Sequence, residues 1–198
     1  TALYSVTLPV YDKSRLPVSL GGRFINVYSV HSGLSAQTIT PLVLRVTTGG
    51  AEPGFFVVET DREVLRVFTR ETRVDRPFHT VKSGDRFYTL VNTQGYSGTL
   101  EVKTYGLLTV VNAYGNRTIP ATVTVYDGRG AVVASSTGEK VEFKLEPYPE
   151  YLGPYRVVSD NGRERQSATT MLPDDTTLTM AFSTEPALQI PTDVIMLA

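Results

Sequence analysis

Apolar and polar residues alternate with a period of two along most of the chain. From Ala2 to Val10, Tyr4, Val6, Leu8 and Val10 share one face, and Leu3, Ser5 and Thr7 share the other. That is the pattern of a half-buried strand. Pro9 has no N–H to give, so it fits a strand end or a sheet edge. A polar break covers Asp12 to Leu16. Strands are then expected at Arg23–Val30, Pro41–Thr48, Phe55–Thr60, Arg86–Asn92 and Thr99–Tyr105, with glycine- or proline-bearing turns between them. Asp61 to Val74 fits two periods. Val64, Leu65, Val67 and Phe68 have helical spacing, while Arg66, Phe68 and Arg70 would line one face of a strand. The run is read as a strand, with a short helix as the alternative.

Beyond Thr104 the alternation is cleaner. Leu107–Ala113, Ala121–Tyr126, Ala131–Ser136, Lys140–Leu145, Tyr155–Ser159, Arg165–Met171 and Thr176–Phe182 read as strands. Asp127-Gly128-Arg129-Gly130 and Asp160-Asn161-Gly162 supply residues that accept the positive φ of tight hairpins. About seven short strands in some eighty residues is the sequence signature of an Ig-like sandwich.

Several segments carry a family likeness. They are Leu108-Thr109-Val110-Val111-Asn112, Ile119-Pro120-Ala121-Thr122-Val123-Thr124-Val125-Tyr126-Asp127, Val132-Val133-Ala134 and the closing Gly153-Pro154-Tyr155-Arg156-Val157-Val158. On these, residues 104–184 resemble the prealbumin-like, carboxypeptidase-regulatory-like Ig module of surface proteins. The resemblance covers about two-fifths of the chain. It implies a structural or adhesive setting and no particular ligand. The insert Pro147–Leu152 departs from it, being longer and more aromatic than usual. Some pilin-type relatives join a Lys of the first strand to an Asn of the last. Thr176–Phe182 has no Asn, so no such isopeptide bond is expected.

Composition supports the strand reading: 26 Thr and 25 Val stand against 11 Ala, and β-branched residues suit a pleated sheet. With no Cys, disulfides, thiol catalysis and Cys-ligated zinc are excluded. Lys plus Arg number 19 against 20 Asp plus Glu, a net charge of −1. A nucleic-acid binder would show a basic excess, so that partner is not expected. No apolar run approaches the roughly eighteen residues that a membrane helix needs. Fourteen Arg against five Lys, and only nine Asn plus Gln, suit a hot environment. Asn161-Gly162 points the other way if exposed. The sequence begins at Thr1 rather than Met. Either a leader has been removed or the sequence has been trimmed; a cleaved secretory leader would place the mature protein outside the cell.

Candidate chemistry is sparse. His31 and His79 lack a metal-ligand spacing and read as turn and loop residues. There is no nucleophile elbow and no Ser-x-x-Lys. Gly128-Arg129-Gly130 lacks a third glycine and sits in a hairpin, so it reads as a turn. Asp174-Asp175 has too few oxygen ligands nearby in sequence for calcium and reads as a polar turn. Arg62, Arg66, Arg70, Arg73 and Arg76 are interleaved with Glu63, Glu71 and Asp75. Mixed signs point to a solvated ladder or an inter-subunit ion-pair network rather than a phosphate groove. Asn116-Arg117-Thr118 is a glycosylation sequon in an expected loop, which makes a glycan on Asn116 a candidate modification. Tyr148, Tyr151 and Tyr155 could offer a carbohydrate platform or pack over one end of a sandwich.

The expected architecture is all-β, with two β-sandwich (Ig-like or jelly-roll-like) domains at residues 11–104 and 105–185. Residues 1–10 form a candidate donor strand, carried by Leu3, Tyr4, Val6, Leu8 and Val10. Residues 186–198 form an apolar tail, carried by Leu188, Ile190, Val194, Ile195 and Leu197. Nine extended residues reach about 30 Å, enough to cross a sandwich groove in another copy. The whole chain is similar in this respect to the all-β subunits of extracellular pili and threads. The reading is a secreted structural protein, not an enzyme, with no cofactor and no metal. Its expected partner is itself, in a head-to-tail polymer. The alternatives are a monomeric surface adhesion or carbohydrate-binding module, and a viral coat or decoration protein.

Overall fold

A computed structural model describes residues 15–16, 23–29, 34–49, 54–93, 95–149 and 153–187. The protein is all-β: strand makes up 66% of the described residues, and no helix occurs among them. The strands are β1 (Arg15–Leu16), β2 (Phe24–Ser29), β3 (Leu34–Thr40), β4 (Val43–Thr48), β5 (Phe55–Thr60), β6 (Val64–Thr69), β7 (Phe78–Ser83), β8 (Arg86–Asn92) and β9 (Gly98–Thr104). They continue with β10 (Gly106–Tyr114), β11 (Arg117–Thr118), β12 (Ala121–Tyr126), β13 (Val132–Gly138), β14 (Lys140–Leu145), β15 (Tyr155–Asp160), β16 (Arg165–Thr170) and β17 (Thr176–Phe182).

The chain divides into two compact units. One comprises Thr1–Gly106 with Lys144–Tyr148, the other Leu107–Phe143 with Pro149–Ala198. In the first unit, one sheet has the order β1-β2-β5-β8-β7 and a second the order β3-β4-β9-β6. A single apolar cluster draws on both: Phe24, Val27, Phe56 and Val58 from one, Leu44, Val46, Leu100 and Val102 from the other. Each such side chain contributes about 1.5–3 kcal/mol by leaving water. In the second unit, β10 lies beside β14 and β11 on one flank and β17 on the other, and the separate sheet runs β13-β12-β15-β16. β10 and β17 are parallel, in register from Leu108↔Thr176 to Tyr114↔Phe182. Val123, Val125 and Val157 alternate inward on β12 and β15, and Leu108 and Val110 are fully buried on β10.

Some sequence expectations change. Residues Arg15–Leu16 end the expected polar break as a short strand, because they pair with Val27 and Tyr28. The ambiguous run settles as strand β6 over Val64–Thr69. Four strands went unpredicted: the two-residue β1 and β11, and β3 and β7, whose Thr- and Ser-rich runs lack a clear apolar alternation. His79 is therefore not a loop residue; it lies exposed on β7, opposite Leu90.

Candidate functional site

The donor-strand residues Leu3, Tyr4, Val6, Leu8 and Val10 lie outside the described residues, as do Leu188, Ile190, Val194, Ile195, Leu197, His31 and Tyr151. Other predicted positions are placed. Asn116 is exposed in the turn joining β10 to β11. Asp127 closes the first hairpin: its Oδ1 accepts the N–H groups of Arg129 and Ala131 at 2.9 and 3.0 Å. Asp175 Oδ1 accepts the Leu107 N–H at 3.0 Å, so this acid anchors a strand start. Tyr155 is buried in the core, and Tyr148 turns the chain with φ 47°.

A sheet edge carries unpaired backbone groups to which a further strand can add. The described residues include five exposed large apolar side chains, four on edge strands and the fifth on a segment that covers one. Phe78 lies on β7, Leu65 on β6, and Val132 and Val133 on β13. Val74 belongs to the segment that covers β6. There the Thr69 N–H donates to the Val74 carbonyl and the Arg76 N–H to the Val67 carbonyl, each at 2.8 Å. This turn seals the β6 edge from within the chain. β13 has no such cover among the described residues. Its seven residues, Val-Val-Ala-Ser-Ser-Thr-Gly, contain no charge and no proline. Natural edges are usually blunted by Lys, Pro or bulges; here the one such device is a bulge opposite Val125/Tyr126.

The arginine run gathers on the outer face of β6 and β9. Glu101, 1% exposed, takes Arg45 Nε at 3.2 Å and Arg70 Nε at 3.5 Å on one oxygen. Lys103, equally buried, reaches Glu146 Oε1 at 3.4 Å and the Tyr148 carbonyl at 3.1 Å. Arg66 joins Asp75 at 2.7 Å to Glu146 at 2.9 Å. The Phe68 ring lies under three of these cations: Arg66, Lys103 and Arg73, at 4.3, 5.3 and 5.6 Å from its centroid. The expected mixed-charge ladder thus includes ion pairs closed within one chain. Glu71 accepts the Tyr96 hydroxyl and the Thr99 N–H. Desolvation and the bond to Glu71 push the Tyr96 phenol up to about 12.

No family model, curated protein or solved structure matches the chain. The functional reading therefore rests on the molecule itself.

Another acid, Glu59, has its oxygens occupied. Asn26 and Tyr28 donate to Oε1 at 2.8 and 2.9 Å, and Tyr88 to Oε2 at 3.4 Å. Among the described residues no group of His, Asp and Glu could hold a metal ion. The arrangement offers strand pairing at β13 and polar recognition on open sheet faces. Sequence reading missed Glu101, Lys103 and Glu59, since period-two alternation carries no sign that an outward-facing charge will be covered.

Proposed function

We propose that the chain is a structural subunit of an extracellular pilus- or thread-like filament, or of a surface layer. Copies join head to tail when an apolar terminal segment of one adds a strand to an open edge of the next. The observation that carries this reading is β13, an edge without charge or proline that presents Val132 and Val133 to solvent. In strand addition, backbone hydrogen bonds give affinity and alternate side chains give register. The assigned donor is Ala2–Val10, through Leu3, Tyr4, Val6, Leu8 and Val10; the tail from Leu188 to Leu197 is the second candidate. A head-to-tail contact of this type does not close on itself and builds a fibre.

Each unit is read as a β-sandwich: in the first, apolar residues of two sheets meet in one cluster, and the second likewise has two sheets, with Val123, Val125 and Val157 buried on one and Leu108 and Val110 on the other. Residues 105–185 are read as the Ig-like module that their sequence resembles. Asn116, exposed at a hairpin tip, is the site for a glycan. A Cys-free subunit outside the cell would be held by packing, ion pairs and pairing with its neighbours.

Electron microscopy of the full chain and of two truncations tests the proposal. One truncation removes Thr1–Val10. The other removes Leu188–Ala198, cutting beyond Ala187 because its N–H is bonded to the Asn161 carbonyl. Filaments from the full chain that are lost in either truncation support strand donation. Filaments that persist in both, or a full chain that stays monomeric, overturn it.

A further inference from the structure

The solvent face of the β13-β12-β15-β16 sheet holds an open groove of about 700 Å³. Its side chains stand in cross-strand rows fixed by the register. One row is Ser135, Thr124, Val158 and Ser167, three hydroxyls around a single apolar residue. The next is Thr137, Thr122, Asp160 and Arg165. In it the Thr122 and Thr137 hydroxyls are 3.0 Å apart, and Arg165 Nε pairs with Asp160 at 3.1 Å. In a third row Arg156 lies opposite Tyr126, its guanidinium carbon 4.4 Å from the ring centroid. Arg156 is exposed, and no carboxylate pairs with it among the described residues. The ring holds the planar cation flat while its N–H donors remain available.

We infer that this face binds an acidic polysaccharide, with Arg156 taking the carboxylate or sulfate and the hydroxyl rows taking the sugar hydroxyls. Three features select this ligand. Arg156 and Arg165 against Asp160 leave one net positive charge, which matches an occasional acid along a sugar chain and is too little for a nucleic-acid backbone. Val158 is the single apolar residue of the two hydroxyl-bearing rows, and in the third row the Tyr126 ring is already covered by Arg156 with Val132 beside it at the edge, so the face lacks the clustered apolar anchors of a protein partner. Donors and acceptors recur at the strand spacing of about 4.8 Å, a length scale suited to a polyhydroxylated chain. A guanidinium that stacks on an aromatic ring and offers paired N–H donors is the side chain suited to an oxyanion. The site is independent of β13 pairing and of whether the chain polymerises.

The test is isothermal titration of the full chain with polygalacturonate, dextran sulfate and neutral dextran. Binding to the carboxylated or the sulfated polymer, weakened by salt, with no binding to dextran, is expected; comparing the two identifies the preferred acid. Arg156→Ala, on an exposed site, should fold normally and lose at least tenfold in affinity, and Arg156→Lys should retain part of it. Equal binding of neutral and acidic polymers, unchanged affinity in Arg156→Ala, or no binding to any of the three overturns the inference. So does self-association of the full chain that Arg156→Ala abolishes, which would make a second copy the occupant.

Discussion

The side-chain amide of Asn161 donates to the Thr184 carbonyl at 2.7 Å, tying the β15–β16 turn to the chain just past β17. Asn161 Oδ1 accepts the N–H groups of Arg163 and Glu164 at 2.9 and 2.8 Å. The segment from Ser183 to Ala187 is therefore docked. Asn161 is 6% exposed. Deamidation would need the Gly162 nitrogen to attack this amide, but that N–H is committed to Asp160 Oδ1 at 2.8 Å. The fragile Asn-Gly pair is protected by the fold. Peptide mass mapping after alkaline incubation should find Asn161 intact in native protein and converted in urea-unfolded protein; equal rates would refute this. Asn161→Ala should cost about 1–3 kcal/mol in urea unfolding, since it strips partners from three part-buried backbone groups.

The same clamp is acid-sensitive. Glu164 is held below the ordinary carboxylate range, first by a hydrogen bond from Gln166, against desolvation, and then by the side chains of Thr184 and Ser183 and the Ser183 N–H. Asp160 is lowered too, by the Gly162 N–H and then Arg165. A carboxylate depressed in the folded state contributes stability that is complete above its unfolded value, about 4.3 for Glu, and is lost as pH falls through the folded value. Hydrogen exchange of residues 183–187 should therefore quicken below that pH, and Tm should fall with it. Glu164→Gln should flatten part of the acid limb. A limb as steep as the parent's would show that Glu164 is not a contributor.

The hairpins were legible because Asp127-Gly128 and Asn161-Gly162 encode their turns locally, β12 because its apolar residues strictly alternate, and β10 and β15 because they are short Val- and Leu-bearing runs bounded by turn residues. β6 was ambiguous for a physical reason. Phe68 points away from the apolar cluster yet is fully buried, under cations from β9 and from Arg73. Both faces of the strand are covered, which erases the period-two signal. The partners of Lys103 were invisible because the 43 residues to Glu146 carry no local trace of the pairing.

Lys103 and Glu146 give a prediction about that covered face. The Lys103 side chain is 2% exposed and that of Glu146 26%, and the ammonium keeps the Tyr148 carbonyl and the Phe68 ring if the carboxylate is removed. Removing one partner of a buried pair leaves the other uncompensated, whereas replacing both with apolar groups is often neutral. Glu146→Leu should cost about 3 kcal/mol, and Lys103→Met combined with Glu146→Leu should recover most of that loss. Urea unfolding of both singles and the double closes the cycle. Strictly additive losses would mean that the two charges are not coupled.

The β13 edge yields the most direct prediction about assembly. Val132 and Val133 are 60% and 44% exposed, so neither holds the core together. A Lys on such an edge opposes a second strand by charge and desolvation while remaining solvated in the free subunit. Val133→Lys should therefore leave the unfolding free energy within about 0.5 kcal/mol of the parent. The same change should lower the self-association constant at least tenfold by sedimentation velocity. Lys placed at Val74, on the segment that already seals β6, should leave association unchanged. If Val133→Lys associates as the parent does while Val74→Lys does not, the docking edge is β6 with its covering turn, and β13 has no part in assembly.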